Sequence, residues 1–102
     1  MKLSIKERLQ IQEFIPETGG IARLINAKGI IAKALISSDE ANEIGLTDTG
    51  KGVVWDNSKA KEIDISFNES EIRILKEEVK RKDEQEAISM DAIDLAIKIQ
   101  KA

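Results

Sequence analysis

The chain has 102 residues, a net charge of −3, no cysteine, no histidine, and three aromatic side chains, Phe14, Trp55 and Phe67. That length fits a single domain, residues 1–102, with an interior made mainly of isoleucine, leucine, valine and alanine. The missing residue types exclude disulfides, thiolate metal sites, thiol nucleophiles and Ser-His-Asp catalysis, and they remove the commonest zinc ligand.

The opening MKLSIKERLQ breaks its apolar residues with charge at once, unlike a signal peptide. No apolar run reaches the roughly 18 residues that a membrane span needs. A cytoplasmic protein is therefore expected. The charge is uneven: residues 1–35 carry six basic and three acidic side chains, whereas residues 36–68 carry three basic and seven acidic. The overall acidity argues against a general nucleic-acid binder, and the basic first third leaves room for a local patch.

Ser4-Ile5-Lys6-Glu7 reads as a capping box opening a helix to about Phe14, with Ile5, Leu9 and Phe14 facing inward. Pro16 ends it. A second helix begins near Gly20. Ile21, Leu24, Ile25, Ala32 and Leu35 recur at helical spacing and mark its expected buried face. Lys28 falls inside that stripe, Gly29 follows it, and Ile30 lies on the opposite face. This pattern predicts a central helix covered on two sides. Ser37-Ser38-Asp39-Glu40 opens a short acidic helix, and Gly45 supplies its left-handed end.

Residues 50–55, GKGVVW, hold two of the six glycines and the only tryptophan. Val53-Val54-Trp55 reads as a strand, as does the alternating Ile63-Asp64-Ile65-Ser66-Phe67. The two are expected to pair as a hairpin whose face Trp55 buries. Asn68-Glu69-Ser70-Glu71 is a further capping box, opening a helix with Ile72, Leu75 and Val79 on one face. Lys80 to Glu86 is all charged or polar and reads as a solvated helix end. Ser89 precedes a last helix with Met90, Ile93 and Ile97 on one side, and Leu95 and Ile99 nearer another.

Few spacings carry chemistry. Asp48-Thr49-Gly50 matches the aspartic-protease triplet but sits in a polar turn of a mostly helical chain. Gly50-Lys51-Gly52 has neither the spacing nor the flanks of a phosphate loop. Asp39, Glu40 and Glu43, and Glu69 with Glu71, are carboxylate clusters that helix N-termini explain without catalysis. The order helix, helix, short helix, hairpin is also that of a winged helix. Here the third helix would present acids to phosphates.

Met1-Lys2-Leu3-Ser4, Glu7-Arg8-Leu9, Pro16-Glu17 before Gly19, and Ser38 and Glu40 before Ile44-Gly45-Leu46 form a thin thread through the chain. Val54-Trp55, Lys61 leading into Ile63-Asp64-Ile65, and Glu71 continue it. In these features the chain resembles a group of small proteins encoded by bacteriophages and prophages, a group with no assigned activity. Gly29-Ile30-Ile31 departs from the charged, continuous second helix expected of that group. The resemblance implies a phage or prophage origin and a bacterial host cell, and it carries over no catalytic residue.

These readings converge on an α+β fold: a helical body, one two-stranded antiparallel hairpin and two C-terminal helices. The expected function is non-enzymatic, through protein–protein interaction or self-association, with Ile30, Trp55, Leu95 and Ile99 as contact residues. The alternative is a winged-helix-like DNA-binding regulator using Arg8, Arg23, Lys28 and Lys33. No cofactor, metal ion or membrane enters either reading.

Overall fold

The capping boxes set the helix starts. In a computed structural model covering residues 1–102, Ser4 Oγ accepts from the Glu7 amide at 3.2 Å, and the Ser4 amide donates to Glu7 Oε1 at 3.0 Å. Helix α1 covers Ile5–Gln10 and tightens into a 3-10 turn over Ile11–Phe14 before Pro16. Helix α2 covers Ile21–Ala34. Helix α3 covers Ser38–Ile44, with the Ser37 hydroxyl accepting from the Glu40 amide. It ends on Gly45 at φ +68°, and the Leu46 amide returns to the Ala41 carbonyl at 2.8 Å. Helix α4, Glu69–Glu84, opens on the Asn68–Glu71 capping box, and α5, Ile93–Lys101, follows a 3-10 turn over Met90–Ala92. The α+β fold with a helical body and two closing helices is as expected. No helix is long and apolar enough to cross a membrane.

The strands form, but two of them pair differently. Strand β1, Lys2–Leu3, lies antiparallel to β4, Ile63–Asp64, while β2, Thr47–Asp48, pairs with β3, Val53–Val54. The expected hairpin between Val53–Trp55 and Ile63–Phe67 is therefore replaced by two short ladders. The physical reason lies in the turn. Gly50 stands at φ +80°, its amide donates to Asp48 Oδ1 at 2.9 Å, and the Thr49 amide donates to the Gly52 carbonyl at 2.9 Å. These bonds fold Thr47–Asp48 back on Val53–Val54 locally, at a smaller loop-closure cost than the longer connection from Asp56 to Glu62. The Asp48-Thr49-Gly50 triplet is thus an exposed hairpin turn.

The core is a cluster of 13 buried residues. Phe14, Ile30, Leu75, Val79, Leu95 and Ile99 are among its most enclosed members, and Leu3 and Ile65 join it from the β1–β4 side. Trp55 lies outside this cluster. Its ring is half-buried beside Ser4, Ile5, Ala60 and Glu62, and its Nε1 donates to Asn57 Oδ1 at 2.8 Å. The indole therefore borders a depression shared with the start of α1 and does not seal the core. Phe14 fills the aromatic position at the centre.

Helix α2 turns to its neighbours the face opposite to the one its larger side chains indicate. Ala27, Ile30 and Ala34 are buried and α2 packs chiefly on α4, while Ile21, Ile25 and Leu35 point outward. Two features make the small-residue face the better one. Alanines and Gly29 let α4 approach closely, and Arg23 and Lys33 on α2 reach Glu77, Glu78 and Glu71 on α4. Gly29 is required here because a Cβ at that position would overlap Glu71 Oε2.

Candidate functional site

The four buried charged residues are Glu7, Arg8, Glu71 and Glu78, and each faces an opposite charge. These pairs latch the helices together. Arg8 on α1 donates from Nε to the Ala34 carbonyl at 3.1 Å and from one terminal nitrogen to the Leu35 carbonyl at 2.6 Å. It also makes a two-pronged contact with Glu40 on α3. One guanidinium thus caps the C-terminal carbonyls of α2 and fixes α3. Lys98 on α5 bonds Glu7 on α1 at 2.6 Å and Glu62 at 3.3 Å. No buried side-chain nitrogen or oxygen lacks a hydrogen-bond partner.

Burial alone would push the Glu7 carboxyl up, but donation from Lys98 and from the Ser4 amide outweighs it and holds the carboxyl below its ordinary value. A carboxyl depressed in the folded state adds stability above its unfolded value, and that stability is lost as pH falls through the folded value. Glu7→Gln is therefore expected to be less stable than the native chain at pH 7. The gap should narrow below about pH 4.3 and then close. Urea unfolding followed by circular dichroism at a series of pH values checks this; a gap constant from pH 7 to pH 2 would contradict it.

The sequence-derived contact set does not form a surface. Ile30, Leu95 and Ile99 are fully enclosed in the core, so no partner reaches them. Trp55 remains partly accessible but stands apart from them, against α1. The reason is that α2 and α5 each have two apolar faces, and the better-packing face went inward in both. On α5, Leu95, Ala96 and Ile99 are buried, while Ile93 and Ile97 look out.

The cations of the DNA-binding alternative do not form a basic face either. Arg8 is buried against Glu40, Arg23 is held by Glu77 and Glu78, and Lys33 is held by Glu71. Arg23, Lys28 and Lys33 also leave α2 in three different directions, since each residue advances about 100° around a helix. Lys28 alone of the four is exposed and has no ion-pair partner. The expected carboxylate clusters are divided in the same way, with Glu40 turned to Arg8 and Glu71 used in the α4 cap.

An uncovered apolar face remains on α2. Ile21, Ile25 and Leu35 are 81%, 63% and 67% exposed. With Lys28 and Ala32 they follow one another at steps of four, three, four and three, the spacing of a helix–helix seam. At the C-terminal end this seam runs into a groove of about 170 Å³ lined by Leu9, Ile11, Ile31, Ala34, Leu35, Ile36 and Leu46, with Arg8 and Gln12 at its edge. That volume is too small for a drug-sized molecule, for which roughly 300–1,000 Å³ is usual, but it admits one anchoring side chain. A larger depression, about 560 Å³, lies elsewhere, between the Pro16 turn and α4. Its walls include Glu13, Glu17, Glu78, Arg81 and Lys82, a solvated mixed-charge surface without a focused site.

Ile21, Ile25 and Leu35 read as a buried face from their spacing, and in the structure they face solvent. A usable signal was present. Arg23 and Lys33 on α2 pair with Glu78 and Glu71 on α4, so these two cations orient α2 where apolar bulk misleads, while Lys28 lies on the other face. Compared with family models, with curated proteins and with solved structures, the chain gives no match.

Proposed function

We propose that this chain is a non-enzymatic interaction module and that the outer face of α2 is its contact surface. One observation carries the reading: a helix apolar on both sides is covered on one, leaving Ile21, Ile25 and Leu35 in solvent beside an anchoring groove. Contiguous exposed apolar surface of this kind marks interaction sites. The resemblance to small phage- and prophage-encoded proteins fits an accessory role in a bacterial host cell. Pairing of Arg8, Arg23 and Lys33 with acids weighs against duplex DNA as the partner.

Selection from a displayed library of short helices tests the reading. The native chain serves as bait, with counter-selection against the Ile21→Ser, Ile25→Ser, Leu35→Ser triple variant. Each change is at an exposed position, so the triple variant should keep its thermal midpoint within a few degrees. Clones that bind the native chain and not the triple variant are the expected result. An empty selection, or clones indifferent to the triple substitution, would overturn the assignment.

A further inference from the structure

Resting on the α2 contact surface, we infer that its occupant is a protein partner's amphipathic helix with an acidic side chain at mid-seam, placed to meet Lys28. The seam has the dimensions of one helix. Its 14 helical residues rise about 1.5 Å each, giving a track of about four turns. Its ends are aliphatic, Ile21 and Ile25 at one and Leu35 at the other, and its centre is a lysine.

The charge at that centre decides among occupants. Arg23 and Lys33 already have acids on α4, while Lys28 has none within the chain. No acid lies on α2, so nothing on the helix itself neutralises it. A second copy of α2 could pair end to end, since Ile21 and Leu35 each lie seven residues from Lys28. Antiparallel pairing about the seam's midpoint, however, sets Lys28 against Lys28 of the other copy, and like charges at the centre of an apolar contact are costly. A lipid surface fits less well than a helix. Membrane-lying helices flank their apolar face with free cations, whereas here the flanking cations are paired and the chain is net negative. A carboxylate at the partner's central position removes the one unfavourable feature and leaves the aliphatic layers to pack. The groove beside Leu9, Ile31 and Leu46 receives an apolar anchor from the end of the same helix.

The test uses three synthetic helical peptides with leucines at seam spacing, differing only in a central Glu, Gln or Lys. Binding to the full chain is read by fluorescence anisotropy. The Glu peptide is expected to bind about tenfold more tightly than the Lys peptide, with Gln between, and Lys28→Glu in the chain should reverse the order. Equal binding of all three would overturn the acidic-centre inference and leave the contact surface standing. Failure of every peptide would overturn the inference, and with an empty helix-library selection would remove the contact surface as well. Sedimentation showing a dimer that Ile25→Ser dissolves would identify a second copy as the occupant. Binding to vesicles rich in anionic lipid but to no peptide would identify a lipid surface. Either result would overturn the inference.

Discussion

Arg8→Ala is expected to cost about 3 kcal/mol, the low end of the penalty for breaking a buried ion pair, because Arg8 is buried while Glu40 keeps some solvent contact. The native chain is expected to have only about 5–15 kcal/mol in all, at roughly 0.05–0.15 kcal/mol per residue. The size of the effect follows from how many groups one side chain serves. Its guanidinium satisfies the Ala34 and Leu35 carbonyls at the end of α2 and both oxygens of Glu40 at the start of α3. Removing it leaves helix-end carbonyls and the partly exposed Glu40 carboxylate without these donors. Arg8→Lys should recover only part of the loss, because one ammonium cannot reproduce a planar fork aimed at two carbonyls and a carboxylate. Arg8→Met combined with Glu40→Gln should lose less than Arg8→Ala, since no unpaired charge is left behind. Urea unfolding followed by circular dichroism measures all three. Arg8→Ala within 1 kcal/mol of the native chain would show that the clamp is not formed.

The second large effect concerns Gly29 and Glu71, and its sign depends on background. Glu71 is almost fully buried, receives the Asn68 amide at 2.9 Å, and pairs with Lys33. Glu71→Ala should cost about 2–3 kcal/mol, combining a lost cap with a lost charge-assisted bond. Gly29→Ala raises helix propensity by about 1 kcal/mol. In the native chain it should nonetheless destabilise by about 1–2 kcal/mol, because the new methyl displaces a carboxylate that two donors hold in place. In the Glu71→Ala background the space is free, and the same change should stabilise by about 1 kcal/mol. A double-mutant cycle reads this reversal directly. Additive effects would mean that the carboxylate does not rest against Gly29.

These two sites also show which parts of the fold were legible in the sequence. The capping boxes at Ser4 and Asn68, the serine cap at Ser37 and the left-handed end at Gly45 all lie where local chemistry puts them, because each involves residues within a few positions. Contacts between distant segments were less legible. The strands expected over Val53–Trp55 and Ile63–Phe67 form only at Val53–Val54 and Ile63–Asp64, and each found another partner, since strand composition does not encode pairing. The face of α2 was misassigned because counting large apolar residues favours Ile21, Ile25 and Leu35, whereas packing favoured Ala27, Ile30 and Ala34 with salt bridges on either side. Gly29 was visible only as an anomaly in a helix; its cause, Glu71, lies on α4. The candidate contact surface inherits that inversion. By apolarity its residues read as interior, whereas Ile30, Leu95 and Ile99, which read as contacts, form the core.

The most direct test of the α2 contact surface is methyl nuclear magnetic resonance on the isoleucine-labelled chain during titration with the Glu-centred peptide. Perturbations are expected to concentrate on Ile21, Ile25 and Ile31, with Ile30 and Ile99 nearly unmoved. Shifts centred instead on Ile93 and Ile97, or on no isoleucine of α2, would contradict it.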